Sequence, residues 1–186
     1  MSVARSHVGP WTLEDVLSLP KDSTQRVELV GGQLLMGPVP GLRHQRASRQ
    51  LANLLEQAAV AAGAEIEIFA RINVIVPDGL LVPDLVVVDA AAAEAAGVAA
   101  SAHDVLVVVE ITSPATRVTD HKLKPALYAA ADIEHYWRIE LEPAPSLLVG
   151  RHRGGSYADR EFAAGALAQI DEPFPIGFDP TVLIRG

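Results

Sequence analysis

Two carboxylates sit where carboxylates are costly. Asp84 stands at the entrance to the apolar run Leu85-Val86-Val87-Val88, in VPDLVVV, and Glu110 ends another, Val105 to Val109, in VLVVVEITSP. An acid beside a buried strand costs several kcal/mol unless it is paired, hydrogen-bonded or metal-bound. If the two strands are neighbours, both acids converge on one point. Two hard oxygen donors repel there unless a cation lies between them, and Mg²⁺ or Mn²⁺ is the usual one. The plainer alternative is that each acid caps its strand or pairs with an arginine.

A lysine follows at a telling distance. Lys122 and Lys124 are two of only three lysines in the chain. Pro125 disfavours a helix interior, so Lys124 and Pro125 belong to a first helical turn. That puts Lys124 at the positive end of a helix following the Glu110 strand. There an ammonium can orient water or offset phosphate charge. A solvated lysine, or an ion pair with Asp120 four residues earlier, is the alternative.

The elements that must position these groups read as follows. WTLEDVLSLP is a short helix with Thr12 as N-cap, Glu14 and Asp15 in its first turn, and Pro20 beyond its end. QRVELVGGQLLMG is a hairpin about Gly31-Gly32. GLRHQRASRQLANLLEQAAVAAG is a long helix, with Leu51, Leu54, Leu55, Ala58, Ala59 and Ala62 at helical spacing and Gly63 closing it. EIEIFARINVIVP alternates as one long strand. LVPDLVVVD and VLVVVEITSP are buried strands with a short Ala-rich helix or loop between them. VTDHKLKPALYAAADI is a helix. HYWRIEL, SLLVGRHR and parts of GGSYADREFAAGALAQI are strands. FPIGFDPTVLIRG is a loop with a last strand or short helix. This order predicts an α/β or mixed α+β domain, a mixed sheet flanked by helices, spanning residues 1–186 as one unit.

Composition narrows the classes. Nearly half of the 186 residues are hydrophobic, and mean hydropathy is +0.23, enough for a sizeable core. The chain has no cysteine, so disulfides, thiolate metal sites and cysteine nucleophiles are excluded. That suits a cytoplasmic location. The apolar runs are too short for a membrane span, and the N-terminal residues form no signal core. The net charge of −8 argues against a nucleic-acid coat protein, though a local basic patch beside an acidic metal site remains compatible with it. His103, His121, His135 and His152 show no H-x-x-x-H or H-x-H pair, so nothing points to zinc. GVAASAHD and GRHRGGS lack the phosphate-loop pattern. Tyr128, Tyr136 and Trp137 read as core. Arg43, Arg46 and Arg49 cluster at the start of the long helix, with His44 among them. Arginines there oppose the helix dipole, which suggests DNA phosphate as a partner, a solvated first turn being the alternative.

Taken in order, Asp84 in VPDLVVV, Glu110 in VVVEITSP, the run Asp120, Lys124, Tyr128, and then HYW resemble the Uma2 family of the PD-(D/E)XK nuclease superfamily. RVELVGGQL resembles the family's opening hairpin, with Glu28 at its acidic position. His44 resembles the histidine that opens its long helix, and GGSYADREF resembles a strand near its end. The resemblance implies a restriction endonuclease-like fold and a Mg²⁺- or Mn²⁺-dependent DNA endonuclease. Asp84 and Glu110 would be the metal carboxylates, Lys124 the signature lysine and Glu28 an auxiliary acid. A homodimer is the form common to such folds. In the superfamily the lysine stands two residues after the glutamate; here that place holds Thr112, so Lys124 has to reach in from the following helix. Glu140 in YWRIE stands where many relatives carry aspartate. The carbonyl of Ile111 is a further oxygen ligand. Two readings stand beside this one: an inactive nuclease-fold DNA-binding or scaffold protein of a mobile-element or defence system, and a hydrolase of small phosphoesters. As a like-charge cluster, the acids predict that Asp84→Asn holds or slightly raises stability.

Overall fold

The computed structural model describes residues 7–20 and 25–185. The first helix, α1 (Leu13–Leu17), begins at Thr12. The Thr12 side chain accepts from the Asp15 amide, and the Asp15 carboxylate accepts from the Thr12 amide at 2.9 Å, a reciprocal cap for orphan donors. Strands β1 (Gln25–Val30) and β2 (Gln33–Pro38) pair as a hairpin. Gly31 and Gly32 both take positive φ, as a two-residue hairpin turn of this hand requires. Helix α2 (Leu42–Ala62) buries Ala47, Leu51, Leu55 and Ala59, one per turn along one face, and ends at a left-handed Gly63.

The long strand expected over Glu65–Pro77 is in fact two. Strand β3 (Ile66–Ala70) and β4 (Asn73–Val76) belong to different sheets, broken at Arg71, whose φ of 56° is left-handed. Apolar alternation continues across the break, so periodicity alone hides it. The stretch Leu81–Asp89 likewise divides into β5 (Gly79–Leu81) and β6 (Leu85–Asp89). Pro83 has no N–H to give a ladder, and Val82-Pro83-Asp84 carries the chain from one sheet to the other.

Helix α3 (Ala90–Ala95) is capped by Asp89, and β7 (Ala99–Ser101) and β8 (Val105–Thr112) follow. A π-helical turn, Thr119–Leu123, leads into α4 (Lys124–Ala130), so the helix expected over residues 118–133 is divided, its first part wound wider than an α-helix. Then come β9 (His135–Glu140), β10 (Ser146–Arg153), β11 (Ser156–Ala163), β12 (Ala168–Ile170), β13 (Ile176–Phe178) and a 3-10 turn, Pro180–Ile184.

A six-stranded mixed sheet runs in the order β11-β10-β9-β8-β6-β3, and β8 and β9 are its parallel pair. A parallel pair needs a crossover, and α4 provides it. A second sheet runs β2-β1-β5-β4-β7. Alternation along β6 and β8 divides the core. Leu85, Val87, Val107, Val109 and Ile111 pack against α2, whereas Val86, Val88 and Val108 pack against Tyr128 of α4, Tyr136 and β4 of the second sheet. Both strands are therefore buried on both faces, each such side chain contributing about 1.5–3 kcal/mol. Glu110 shares the parity of Val108 and so faces α4. No described helix is long and apolar enough to cross a membrane.

Candidate active site

Strands β1 and β8, the Val82–Asp84 crossing and the turn before α4 bring the acids together. Lys124 is the first residue of α4 and only 1% exposed, whereas Lys122 is exposed. Its ammonium donates to Glu110 Oε1 at 2.9 Å and lies 3.0 Å from Glu28 Oε1 and 3.9 Å from Asp120 Oδ1. Tyr128, one turn along α4 on the same face, donates its hydroxyl to the same Glu110 Oε1 at 2.7 Å. Glu28 comes from the second sheet. Its Oε1 also accepts the Val82 amide at 2.9 Å, which ties β1 to the Val82–Asp84 crossing.

Asp84 is held from three directions. Its Oδ2 accepts the Ile111 amide at 2.8 Å and stands 3.0 Å from His44 Nε2 in the first turn of α2. Its Oδ1 accepts from Arg26 Nη1 at 3.1 Å. That same nitrogen donates to the Val82 carbonyl at 3.1 Å and lies 4.0 Å from Glu110 Oε2.

Glu28, Asp84, Glu110 and Lys124 thus meet in one buried cluster, and the alternative of a solvated Lys124 is overturned. The pairing with Asp120 is real but joins two shorter contacts. His44 reaches Asp84. Arg43 is tied to Glu142 Oε1 at 3.1 Å and the Leu141 carbonyl at 2.8 Å, while Arg46 and Arg49 are exposed along α2. Ile111 enters through its amide. Thr112 is buried with its hydroxyl unpartnered, on the Glu110 face of β8, where a lysine two residues after the glutamate would point. Glu140 sits apart, with His121 at 2.5 Å and Arg138 at 3.2 Å.

Sequence reasoning missed Arg26 and assigned Tyr128 to the core alone. Arg26 lies two residues before Glu28 on one strand, so both share a face; that spacing was the available signal. Tyr128 is core by burial, but its hydroxyl needs an acceptor there, and Glu110 is that acceptor.

Burial and neighbouring charge shape the protonation states. Burial pushes the Asp84 carboxyl up, but the His44 hydrogen bond, the His44 and Arg26 charges and the Ile111 amide outweigh it and hold the group below the usual range. Glu110 goes the other way. Complete burial, with Asp84 and Asp120 nearby, pushes it up to about 8 against the pull of Lys124 and Arg26. Burial also raises Asp120. For Lys124 burial disfavours the charge, yet Glu110 and Glu28 prevail and raise it. Burial and the adjacent carboxylates lift Tyr128 well above the phenol range, so it acts as a donor.

Glu110 Oε2 and both Asp120 oxygens are buried without a hydrogen-bond partner. Orphaned hard oxygens of this kind fit a hard divalent cation such as Mg²⁺ or Mn²⁺. Among the described residues, however, no three acidic, histidine or cysteine side chains form a ready-made metal cage. Arg26 and Lys124 are the cations among these acids. The donor type fits the ion; the present spacing serves the internal cations.

This mixed α+β fold is shared by a solved structure from Anabaena variabilis ATCC 29413, described as "a putative nuclease belonging to DUF820". The two agree with a TM-score of 0.66 over 87% of this chain and 89% of that one, at 20% identity, a likeness of fold. Residues 13–183 match the Uma2 family, described as "Putative restriction endonuclease", and the chain belongs to that family. Comparison with curated proteins gives no match.

Proposed function

We propose that the protein is a divalent-metal-dependent endonuclease that hydrolyses DNA phosphodiester bonds. The observation that carries this reading is the meeting of Glu28, Asp84, Glu110 and Lys124 around carboxylate oxygens that lack partners. Family membership supports it. Asp84 and Glu110, with the Ile111 carbonyl, would hold Mg²⁺ or Mn²⁺, which lowers the pKa of water and offsets charge on phosphate.

The chain's own groups have these parts. His44 and the Ile111 amide fix Asp84 Oδ2, and its other oxygen, which now accepts from Arg26, is the one a metal ion would use. Tyr128 and Lys124 fix Glu110 Oε1 and leave Oε2. Lys124, held also by Glu28, is a preorganised positive charge for the attacking water or the phosphoryl oxygens. Arg46 and Arg49 offer phosphate contacts along α2, whereas Arg43 must first leave Glu142.

A second reading has one observation in its favour. Arg26 already neutralises Asp84, which suits an inactive nuclease-fold protein that binds DNA without cutting it. Supercoiled plasmid at low salt, with Mg²⁺, Mn²⁺ or EDTA, separates these readings when run beside a bis-nitrophenyl phosphodiester. Metal-dependent nicking is expected. Shifted but uncut plasmid would mean the inactive protein, and turnover of the small ester alone would mean a small-phosphoester hydrolase.

A further inference from the structure

We infer that Arg26 is the resident counter-cation of the Asp84–Glu110 pair, and that its guanidinium must withdraw from both carboxylates before a divalent ion binds. This rests on the metal-dependent reading above and adds to it a competition built into the chain.

The oxygens of the two acids are divided between two sets of partners. Asp84 Oδ2 belongs to His44 and the Ile111 amide, and Glu110 Oε1 to Lys124 and Tyr128. The remaining two, Asp84 Oδ1 and Glu110 Oε2, face one nitrogen, Arg26 Nη1, at 3.1 and 4.0 Å. Those are the oxygens that would be offered to a divalent ion once Arg26 had withdrawn. A divalent cation and the guanidinium therefore compete for the same place, whereas Lys124 does not stand in its way.

Arg26 has a built position but an incomplete hold. It is 8% exposed and pairs across the hairpin with Gly37. A Cβ at Gly37 would come 3.4 Å from Arg26 Nε, an ordinary van der Waals distance, so the arginine side chain lies directly over this glycine. Buried arginines commonly grip carboxylates with both arms of the fork. Among the described residues, Nη1 makes both hydrogen bonds, to Asp84 and the Val82 carbonyl, and buried Nε has no acceptor. The register of β1 with β5 runs through Leu29 and Val30, so among the described strands the Arg26 end of β1 is paired only with β2. A one-nitrogen hold on a strand end can be released without opening the six-stranded sheet.

Calorimetric titration with Mn²⁺ tests this on the full chain. Arg26→Gln is expected to bind Mn²⁺ at least 10-fold more tightly than the unaltered protein while melting lower without metal. Arg160→Gln, which removes the same charge from edge strand β11, is expected to leave the affinity unchanged. A merely structural arginine would not strengthen metal binding when lost. Affinity in Arg26→Gln equal to or below that of the unaltered protein overturns the inference alone. Absence of Mn²⁺ binding in every form overturns the metal-dependent reading and this inference with it. Should Arg26→Gln fail to fold, nitrogen-15 spectra of the arginine side chains in the unaltered protein decide. A slowly exchanging Arg26 guanidinium signal, assigned with Arg26→Lys, is expected to be lost on saturation with Mg²⁺. Its persistence overturns the inference.

Discussion

The ammonium of Lys124 donates to Glu110 Oε1 at 2.9 Å in the interior of the protein, although the two residues are fourteen positions apart in sequence with a π-helical turn between them. The turn Thr119–Leu123 delivers the first residue of α4 to an acid inside β8, the strand before it, which runs on past Glu110 to Thr112. Lys124→Ala leaves Glu110 and Glu28 without their shared cation, and breaking a buried pair of this kind costs about 3–5 kcal/mol. Urea melts are expected to show that loss. Plasmid nicking at a temperature where the variant is folded is expected to fall roughly 10²-fold or more. Lys122→Ala, on the exposed side, is expected to stay within about 0.5 kcal/mol. Equal effects of the two would remove Lys124 from the site.

Asp84→Asn has an outcome opposite to the one its sequence suggests. Among like charges, losing one relieves repulsion. In the structure Asp84 is instead the partner of Arg26 and His44. The asparagine takes from buried Arg26 its nearest carboxylate and from His44 its partner, so a loss of about 3 kcal/mol is expected, with loss of Mn²⁺ binding. Thermal melts with and without Mn²⁺ measure both.

Stability should depend on pH through Glu110. Its folded pKa is raised from 4.5 to about 8, so the folded state holds more protons across that interval. Its contribution is fully present below about pH 4.5 and is lost as pH rises toward 8. Asp120, also raised, acts in the same direction. Metal-free protein is expected to lose stability over this range, and Glu110→Gln to flatten the curve. Asp84, lowered, contributes with the opposite sign, lost as pH falls through its own depressed value. Urea melts at intervals from pH 4 to 9 check the slope.

Gly79→Ala should disturb the site from a distance. A Cβ there would come 1.9 Å from the Leu29 carbonyl oxygen, inside the β1–β5 pairing that positions Glu28 and Arg26. Backbone cannot yield as a flexible side chain does, so a loss of about 3 kcal/mol is expected by thermal melting. Gly97→Ala, with open space at its Cβ, is the comparison and is expected to be neutral.

The sequence discloses the strand acids because valine-rich runs leave Asp84 and Glu110 conspicuous, and it discloses Lys124 because Pro125 marks a helix start. It conceals what long-range packing decides. Arg26 is an ordinary arginine until the hairpin docks on β5, and the break at Arg71 interrupts no apolar pattern. The burial of Lys124 depends on a π-helical turn for which residue spacing gives no warning. Asp120 is legible as an i,i+4 partner, but its burial with both oxygens unpartnered follows from tertiary packing.

Anomalous diffraction at the manganese edge, from crystals grown with Mn²⁺, tests the central claim most directly. A peak bounded by Asp84 Oδ1 and Glu110 Oε2, with Lys124 still on Glu110 Oε1, is the result this account predicts. A manganese peak only at surface acids such as Glu134 or Glu172, with Arg26 still on Asp84, would contradict it.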